Sequence, residues 1–369
     1  MEKYKPIARI LQEVGRQEEI EELEEKYGYK ETGRKMTVRV LLQYFLLGAM
    51  LESRSYRELS IQGQEYKLKK VDYSTLSKKA TEVPYEIYLD LFDVIFNKCN
   101  RNDKREIRSK YGRILKIIDS TRIIAAESKW IWGSYKNHKS GIKLHVSYLP
   151  GSGTPSQIEV SPIKVGDSLL LERFMENDTL LLCDRGYLNI KKMCEFDYAG
   201  QEFIIRMREG INQRNPIDFD IAHSSRYQDH LCTLGKDWRI KEEYRRHQFR
   251  VVNFYSDKGE LVSLCTNVMD LSADQIAAIY RIRWQIESFF RVLKQNFTLK
   301  FIFGKSQNSA FSQAIIAILA FLLLVTLHSS LARFISDNCS FLSFLRLLRA
   351  HLIPCSSSRF YPSLLRLLA

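Results

Sequence analysis

No pair of cysteines in this chain is spaced as C-x-x-C, and the seven (Cys99, Cys183, Cys194, Cys232, Cys265, Cys339 and Cys355) follow no regular pattern. Such an odd, scattered set excludes a disulfide framework or a zinc site. It reads as reduced thiols of a cytosolic protein, several of them in apolar runs where cysteine acts as a small hydrophobe. Residues 1–30 lack the apolar stretch of a secretory leader, being charged throughout. Internal repeats and low-complexity segments are absent too, which excludes a repeat architecture. The main apolar run, Ala314 to Leu327 (AIIAILAFLLLVTL), is only about 14 residues long. A bilayer span takes roughly 18 or more, so the run is expected to be a buried core helix, with no membrane association. Acidic residues are also in short supply. The 43 Asp and Glu against 56 Lys and Arg leave a formal charge of +13 and a pI near 9.3. That surplus points to a polyanionic partner, nucleic acid or an acidic membrane surface.

What is present is enough to fold. A hydrophobic fraction of 45% over 369 residues supports a real core and two or three domains. Residues 1–105 read as a helical, DNA-binding region. Glu18 to Lys26 is an acidic helix, and Met36 to Glu52 contains the buried-helix run VRVLLQYFLLGAML. Between Ser53 and Ala80 a short helical pattern, a break at Gly63 and a second helix starting at Ser74 or Thr75 suggest a helix-turn-helix. Lys67, Lys69, Lys70, Lys78 and Lys79 surround it, and Lys78 and Lys79 are candidate DNA contacts; the bland reading is a solvated face. Lys98 to Lys110 is a charged linker or exposed helix end.

Strand patterns then take over, in the order three strands, a helix, a strand, more β structure and a helix. Arg113 to Ile118 ends at Asp119, and Gly141 to Leu149 and Gln157 to Ile163 follow, separated by the turn PGSG. Asp167 or Ser168 is placed to cap a helix SLLLERFMEN, and the continuous apolar run Thr179 to Cys183 ends at Asp184. The expected architecture is an α/β mixed sheet flanked by helices. Its first part spans 106–207, a β-rich insertion 208–268, a second part 269–330, and a helical tail 331–369.

Two aspartates therefore stand at the ends of buried strands, Asp119 in KIIDST and Asp184 in LLCDRGY. A carboxylate there costs desolvation unless something neutralises it, and Mg²⁺ or Mn²⁺ is the usual solution. Gly186 is expected to let the chain turn sharply after Asp184. A strand-end Asp is more often a turn or cap residue, as Asp167 is read to be. A third acid comes from the helix predicted over Ser272 to Phe297, opened by a Ser272 cap. Tyr280, Arg283, Glu287 and Lys294 are spaced three, four and seven residues apart, within roughly 60° on one helix face. Ile279, Ile282, Ile286, Phe289 and Leu293 form the adjacent packing stripe. On composition alone, Arg283 and Glu287 are an ordinary i, i+4 ion pair.

The same four residues reproduce the Y-x2-R-x3-E-x6-K signature of a large group of bacterial insertion-sequence transposases, the IS-four group of DDE type, which this chain resembles from about Ile114 to Leu327. Asp119 in DST and Asp184 in DRGY sit where that group has its first two catalytic aspartates, although Ser120 stands where the group frequently has glycine. The resemblance implies an RNase H-like core with a β insertion between the second Asp and the Glu. It also implies two-metal catalysis, with Asp119, Asp184 and Glu287 holding Mg²⁺ or Mn²⁺. Tyr280, Arg283 and Lys294 would grip phosphates at the element's end. Trp238 and Trp284 are candidates to stack on a flipped base, each otherwise read as packing. The implied partners are double-stranded DNA, as terminal inverted repeats and target, and a second copy of the chain in a synaptic dimer, at work in the bacterial cytoplasm on the nucleoid. His138 and His145 read as structural or phosphate-contacting, and Lys136, Lys139 and Lys143 as lining DNA or simply solvated. Two other readings are a catalytically silent DNA-binding regulator derived from a transposase and a host nuclease of the same fold. The intact acids speak against the first, and the Tyr280–Lys294 set against the second.

Overall fold

The computed structural model describes residues 16–66, 68–99, 109–135, 137–219, 226–236, 242–331 and 339–352. Lys67, Lys136, Trp238 and Cys355, most of the Lys98–Lys110 stretch and most of the expected C-terminal tail lie outside them.

Among the described residues the first helices are α1 (Gln17–Lys26), α2 (Val38–Leu51), α3 (Tyr56–Glu65), α4 (Tyr73–Glu82) and α5 (Tyr85–Cys99). Thr37 and Ser55 cap α2 and α3, each accepting a hydrogen bond from the backbone N–H three residues on. Gly63 does not break α3. It lies inside the helix against Tyr44 of α2, where an added Cβ would fall 2.1 Å from the ring, so the glycine is there for close helix contact. The second helix of the pair starts earlier than Ser74. Asp72 is its cap, accepting from the Ser74 N–H at 2.8 Å and from the Ser74 hydroxyl.

One mixed sheet follows, built from β1 (Ile114–Ala126), β2 (Ser134–Tyr135), β3 (Lys139–Leu149), β4 (Thr154–Pro162), β5 (Thr179–Cys183), β6 (Glu202–Arg206), β7 (Gln213–Asp218), β8 (Gln228–Leu234), β9 (Gln248–Tyr255) and β10 (Leu261–Thr266). Its order is β2-β3-β1-β5-β6-β10-β9-β8-β7, with β4 also on β3. The β4-β3-β1-β5-β6 portion, antiparallel from β4 to β1 and parallel from β1 to β6, is the RNase H-like α/β core. The strands of the 208–268 segment are no separate layer. β10 pairs antiparallel with β6 through Ile204↔Thr266 and its neighbours, extending the same sheet.

Side chains alternate across this sheet at the period of a strand. Ile117, Leu180, Leu182, Ile204 and Leu264 join one buried cluster, with α2, α5 and the C-terminal helices. Ile118, Leu181, Cys183, Phe203, Ile205 and Cys265 join another, with α6 (Ile190–Tyr198). Cover on both faces is why the central strands read as unbroken apolar runs. The expected helix after β4 is instead two 3₁₀ turns, Asp167–Leu169 and Leu171–Phe174. Asp167 caps neither, because its carboxylate is engaged in the interior (below).

The chain closes with α7 (Ala273–Arg281), a 3₁₀ turn Ile282–Trp284, α8 (Gln285–Asn296), α9 (Gln307–Leu331) and α10 (Phe341–Leu352). The single long helix expected from Ser272 onward is thus tightened in its middle, though backbone angles stay helical through Gln285. Ser272 does cap it, in a reciprocal box with Gln275. Helix α9 is longer than the apolar run: 23 residues, Gln307–Ser329, are apolar enough to cross a membrane by composition. In the fold that window is 72% buried, and it packs on α2, α4 and α5 as well as β4 and α8. All-round burial accounts for its all-round apolarity. It also fuses the N-terminal helices and the sheet into one core.

Candidate active site

Asp119 is not at the end of its strand. β1 continues to Ala126 on β3, with Asp119 opposite Val146; only its parallel partner β5 stops, the last pair being Ile118↔Cys183. The next residue on each strand is an aspartate, so adjacent strands in register bring Asp119 and Asp184 side by side. Asp184 opens a 3₁₀ turn, Arg185–Tyr187. Gly186 has no left-handed φ. It sits close to Asp167, whose Oδ2 an added Cβ would meet in a tight contact at 3.0 Å.

Helices α7 and α8 supply the third side. Ile279, Ile286, Phe289 and Leu293 are buried as the packing stripe predicts, which turns Arg283 and Glu287 toward Asp119. The Arg283 guanidinium, only 7% exposed, donates to Asp119 Oδ2 at 3.2 Å and to Glu287 Oε1 at 3.0 Å. Asp119 Oδ1 accepts from the Ser120 N–H at 2.7 Å. Burial, together with the charges of Asp184 and Glu287, outweighs that bond and Arg283 and pushes the Asp119 carboxyl up to about 6. Glu287 stays more open, at 38%.

Two polar atoms here are buried with no hydrogen-bond partner among the described residues, the Tyr280 hydroxyl and Arg283 Nε. Tyr280 is 6% exposed, its ring 5.8 Å from the guanidinium, and burial chiefly holds its hydroxyl protonated. Orphaned donors at this depth are costly and mark a place for a ligand. Trp284 is 61% exposed, with Arg283 6.0 Å from its ring. Lys294 lies two turns further along α8, half-buried.

Three carboxylates with hard oxygen donors, one destabilised by burial, suit a divalent cation of the Mg²⁺ kind. Among the described residues, however, no three His, Cys, Asp or Glu side chains ring one metal-sized point. Arg283 lies between Asp119 and Glu287 and supplies the positive charge there. The donor chemistry fits a metal, and Arg283 and the metal compete for the same oxygens.

Other expected residues go elsewhere. Lys78 is exposed on α4, 3.9 Å from Glu82. Lys79 is corrected: 5% exposed, it points inward to both Glu31 oxygens at 2.5 and 2.6 Å and is not presented to DNA. Lys143 and His145 are likewise interior, not DNA-lining, and Lys139 and His138 are exposed. The residues that sequence reasoning missed surround Asp167, which offered no signal beyond an apparent helix cap.

An RNase H-like sheet with Asp119 and Asp184 at its centre sets out a candidate site whose oxygen donors are of the kind that hold divalent metal. The pattern of the transposase DDE domain family matches residues 110–323. A "Probable transposase for insertion sequence element IS5377" of Geobacillus stearothermophilus is 33% identical over 349 residues, 94% of this chain and 91% of that protein. A Sinorhizobium fredii protein named as transposase y4zB is 25% identical over 65% of this chain and 67% of its own length. The piggyBac transposase synaptic complex with hairpin DNA, solved by cryo-EM, superposes with a TM-score of 0.49 at 12% identity, covering 94% of this chain and 80% of that one. The chain belongs to the DDE transposases of insertion sequences, DNA-acting enzymes that depend on divalent metal.

Proposed function

We propose that Asp119, Asp184 and Glu287 are the catalytic and metal-holding carboxylates of this transposase, acting with two Mg²⁺ or Mn²⁺ ions in cut-and-paste cleavage and strand transfer at inverted repeats. The observation that carries this is the Asp119–Arg283–Glu287 bridge, which joins residues 164 apart in sequence beside Asp184. Held by these carboxylates, a divalent ion would supply Lewis-acid activation of the attacking water or 3′-hydroxyl and charge neutralisation at the leaving oxygen.

The chain's own residues do the rest. Ionised Asp119, Asp184 and Glu287 present oxygens from three places: a strand, the turn that directly follows its neighbour, and a helix packed on the sheet. Arg283, once its carboxylates are otherwise engaged, offers a bidentate fork to a phosphate, and the unpartnered Tyr280 hydroxyl donates to the same group. Lys294 adds a point charge along the strand, and the exposed Trp284 indole offers a face to a base. Lys78 contacts backbone phosphate from the helix pair. Trp238 lies outside the described residues, and its stacking role is supported by sequence alone. The enzyme acts as a dimer on paired ends in the bacterial cytoplasm.

The test uses the full chain, Mn²⁺ or Mg²⁺, and a fragment bearing the element's inverted repeats. Wild type releases 3′-hydroxyl ends, and Glu287→Gln lowers the cleavage rate by about 10³-fold or more. Equal cleavage by Glu287→Gln sinks the assignment. Tight repeat binding without nicking by wild type would favour the silent regulator, and cleavage of any duplex the nuclease.

A further inference from the structure

Asp167 lies on neither catalytic element, yet it touches both. Its Oδ1 accepts from the Ser120 hydroxyl at 3.1 Å, one residue past Asp119. Its Oδ2 lies against Gly186, two residues past Asp184, where an added Cβ would make a tight 3.0 Å contact with it. Lys143 on β3, its side chain 4% exposed, donates to the same Oδ1 at 2.8 Å and to the Val165 carbonyl at 2.6 Å. His145 completes the set, with Nδ1 3.3 Å from the Tyr187 hydroxyl and Nε2 3.2 Å from Ser161 Oγ. Burial first, and Lys143 after it, keep this imidazole's pKa below the ordinary range despite Asp167. It is therefore a neutral spacer, not an acid catalyst.

We propose that Asp167 is a positioning residue that locks the Asp119 strand and the Asp184 turn into one unit, with Lys143 as its counter-ion. β1 and β5 pair only as far as Ile118 and Cys183. Their ladder pairing stops there, and Asp167 lies against both continuing segments, at the Ser120 hydroxyl and at Gly186. A carboxylate serving Lys143 alone would need neither the Ser120 hydrogen bond nor its close approach to Gly186. The inference rests on the reading of Asp119 and Asp184 as the catalytic pair.

The experiment compares wild type with Asp167→Ala and with the double variant Asp167→Leu/Lys143→Met, which removes both charges so that no buried ammonium is left alone. Three quantities are read: melting temperature, Mn²⁺ affinity by electron paramagnetic resonance, and single-turnover cleavage with the Kd for the inverted-repeat fragment. In the double variant the fold recovers to wild-type melting, and Kd for DNA stays within about twofold. Cleavage nevertheless falls about 100-fold and Mn²⁺ affinity about tenfold, as for groups that hold reacting carboxylates in place. A double variant that cleaves and binds Mn²⁺ like wild type overturns the proposal and leaves Asp167 as a mere partner for Lys143. If wild type itself does not cleave, the transposase reading fails. The Mn²⁺ arm still decides the positioning role, which is refuted by unchanged affinity.

Discussion

Two polar clusters lie back to back across β1, and they are built on opposite plans. Successive strand residues point to opposite faces, so Asp119 faces Arg283, Glu287 and Tyr280, while Ser120 faces Asp167, Lys143 and Tyr187. The Asp167 side is closed: Lys143, His145 and Ser120 each have a partner within hydrogen-bond reach. The Arg283 side is open, with an orphaned hydroxyl, an orphaned guanidinium nitrogen and a half-exposed carboxylate. Satisfied buried polar groups make a rigid frame, whereas unsatisfied ones at the same depth wait for something to bind. The contrast fits the proposed roles, substrate at one face of the strand and mechanical support at the other.

The sharpest way to break that contrast is at Arg283. Arg283→Ala should lower inverted-repeat cleavage about 100-fold yet tighten Mn²⁺ binding about three- to tenfold, since two carboxylates lose their competing cation. Isothermal titration and single-turnover kinetics read the two effects. Weaker Mn²⁺ binding would mean that Arg283 organises the acids instead of competing for them.

A smaller effect concerns Asp119. With its carboxyl raised to about 6 from an ordinary 3.8, the folded state favours the protonated form. That contribution to stability is fully present below pH 3.8 and is lost as pH rises through about 6. In EDTA the protein should lose about 2 kcal/mol from this group between pH 4 and 7, by denaturant titration. Asp119→Asn should remove that share of the slope, leaving what Asp93, Glu24 and Glu159, also raised by burial, contribute in the same direction and the lowered His145 in the opposite one. Mn²⁺ should restore stability above pH 6 in wild type only. An unchanged slope in Asp119→Asn would place the strain elsewhere.

The smallest difference separates two neighbouring lysines. Lys78→Ala should leave melting unchanged, weaken DNA binding a few-fold and reduce its salt slope by about 1. Lys79→Ala should leave the salt slope alone and cost about 2 kcal/mol by stranding Glu31. The reverse pattern would place the interior lysine at the DNA.

Adjacent in sequence, those lysines show where reading a chain runs out. Both carry the same charge in the same helix, and only the packing of α4 on its neighbours turns one inward. Asp167 is the same lesson with a larger consequence. A Gly-Asp-Ser before an apolar run looks like a helix cap, but Ser120 and Lys143, distant in sequence, draw its carboxylate inside and the helix does not form. Asp119 also looked like the end of a strand because polarity rises there, whereas the strand runs on because β3 continues beside it.

By itself the amino-acid order determined the alternation that buries both faces of the sheet, the Ser272 cap, and the spacing that sets Tyr280, Arg283 and Glu287 on one side of their helix. These depend on neighbours within a few turns, where backbone geometry allows few choices. Only the tertiary structure decided that Arg283 bridges Asp119 to Glu287, that Asp167 braces both aspartates, and that the strands after β6 extend one sheet. Those contacts join positions separated by dozens to more than a hundred residues, and what fixes them is the requirement that each buried charge, and each buried backbone N–H and C=O, find a partner.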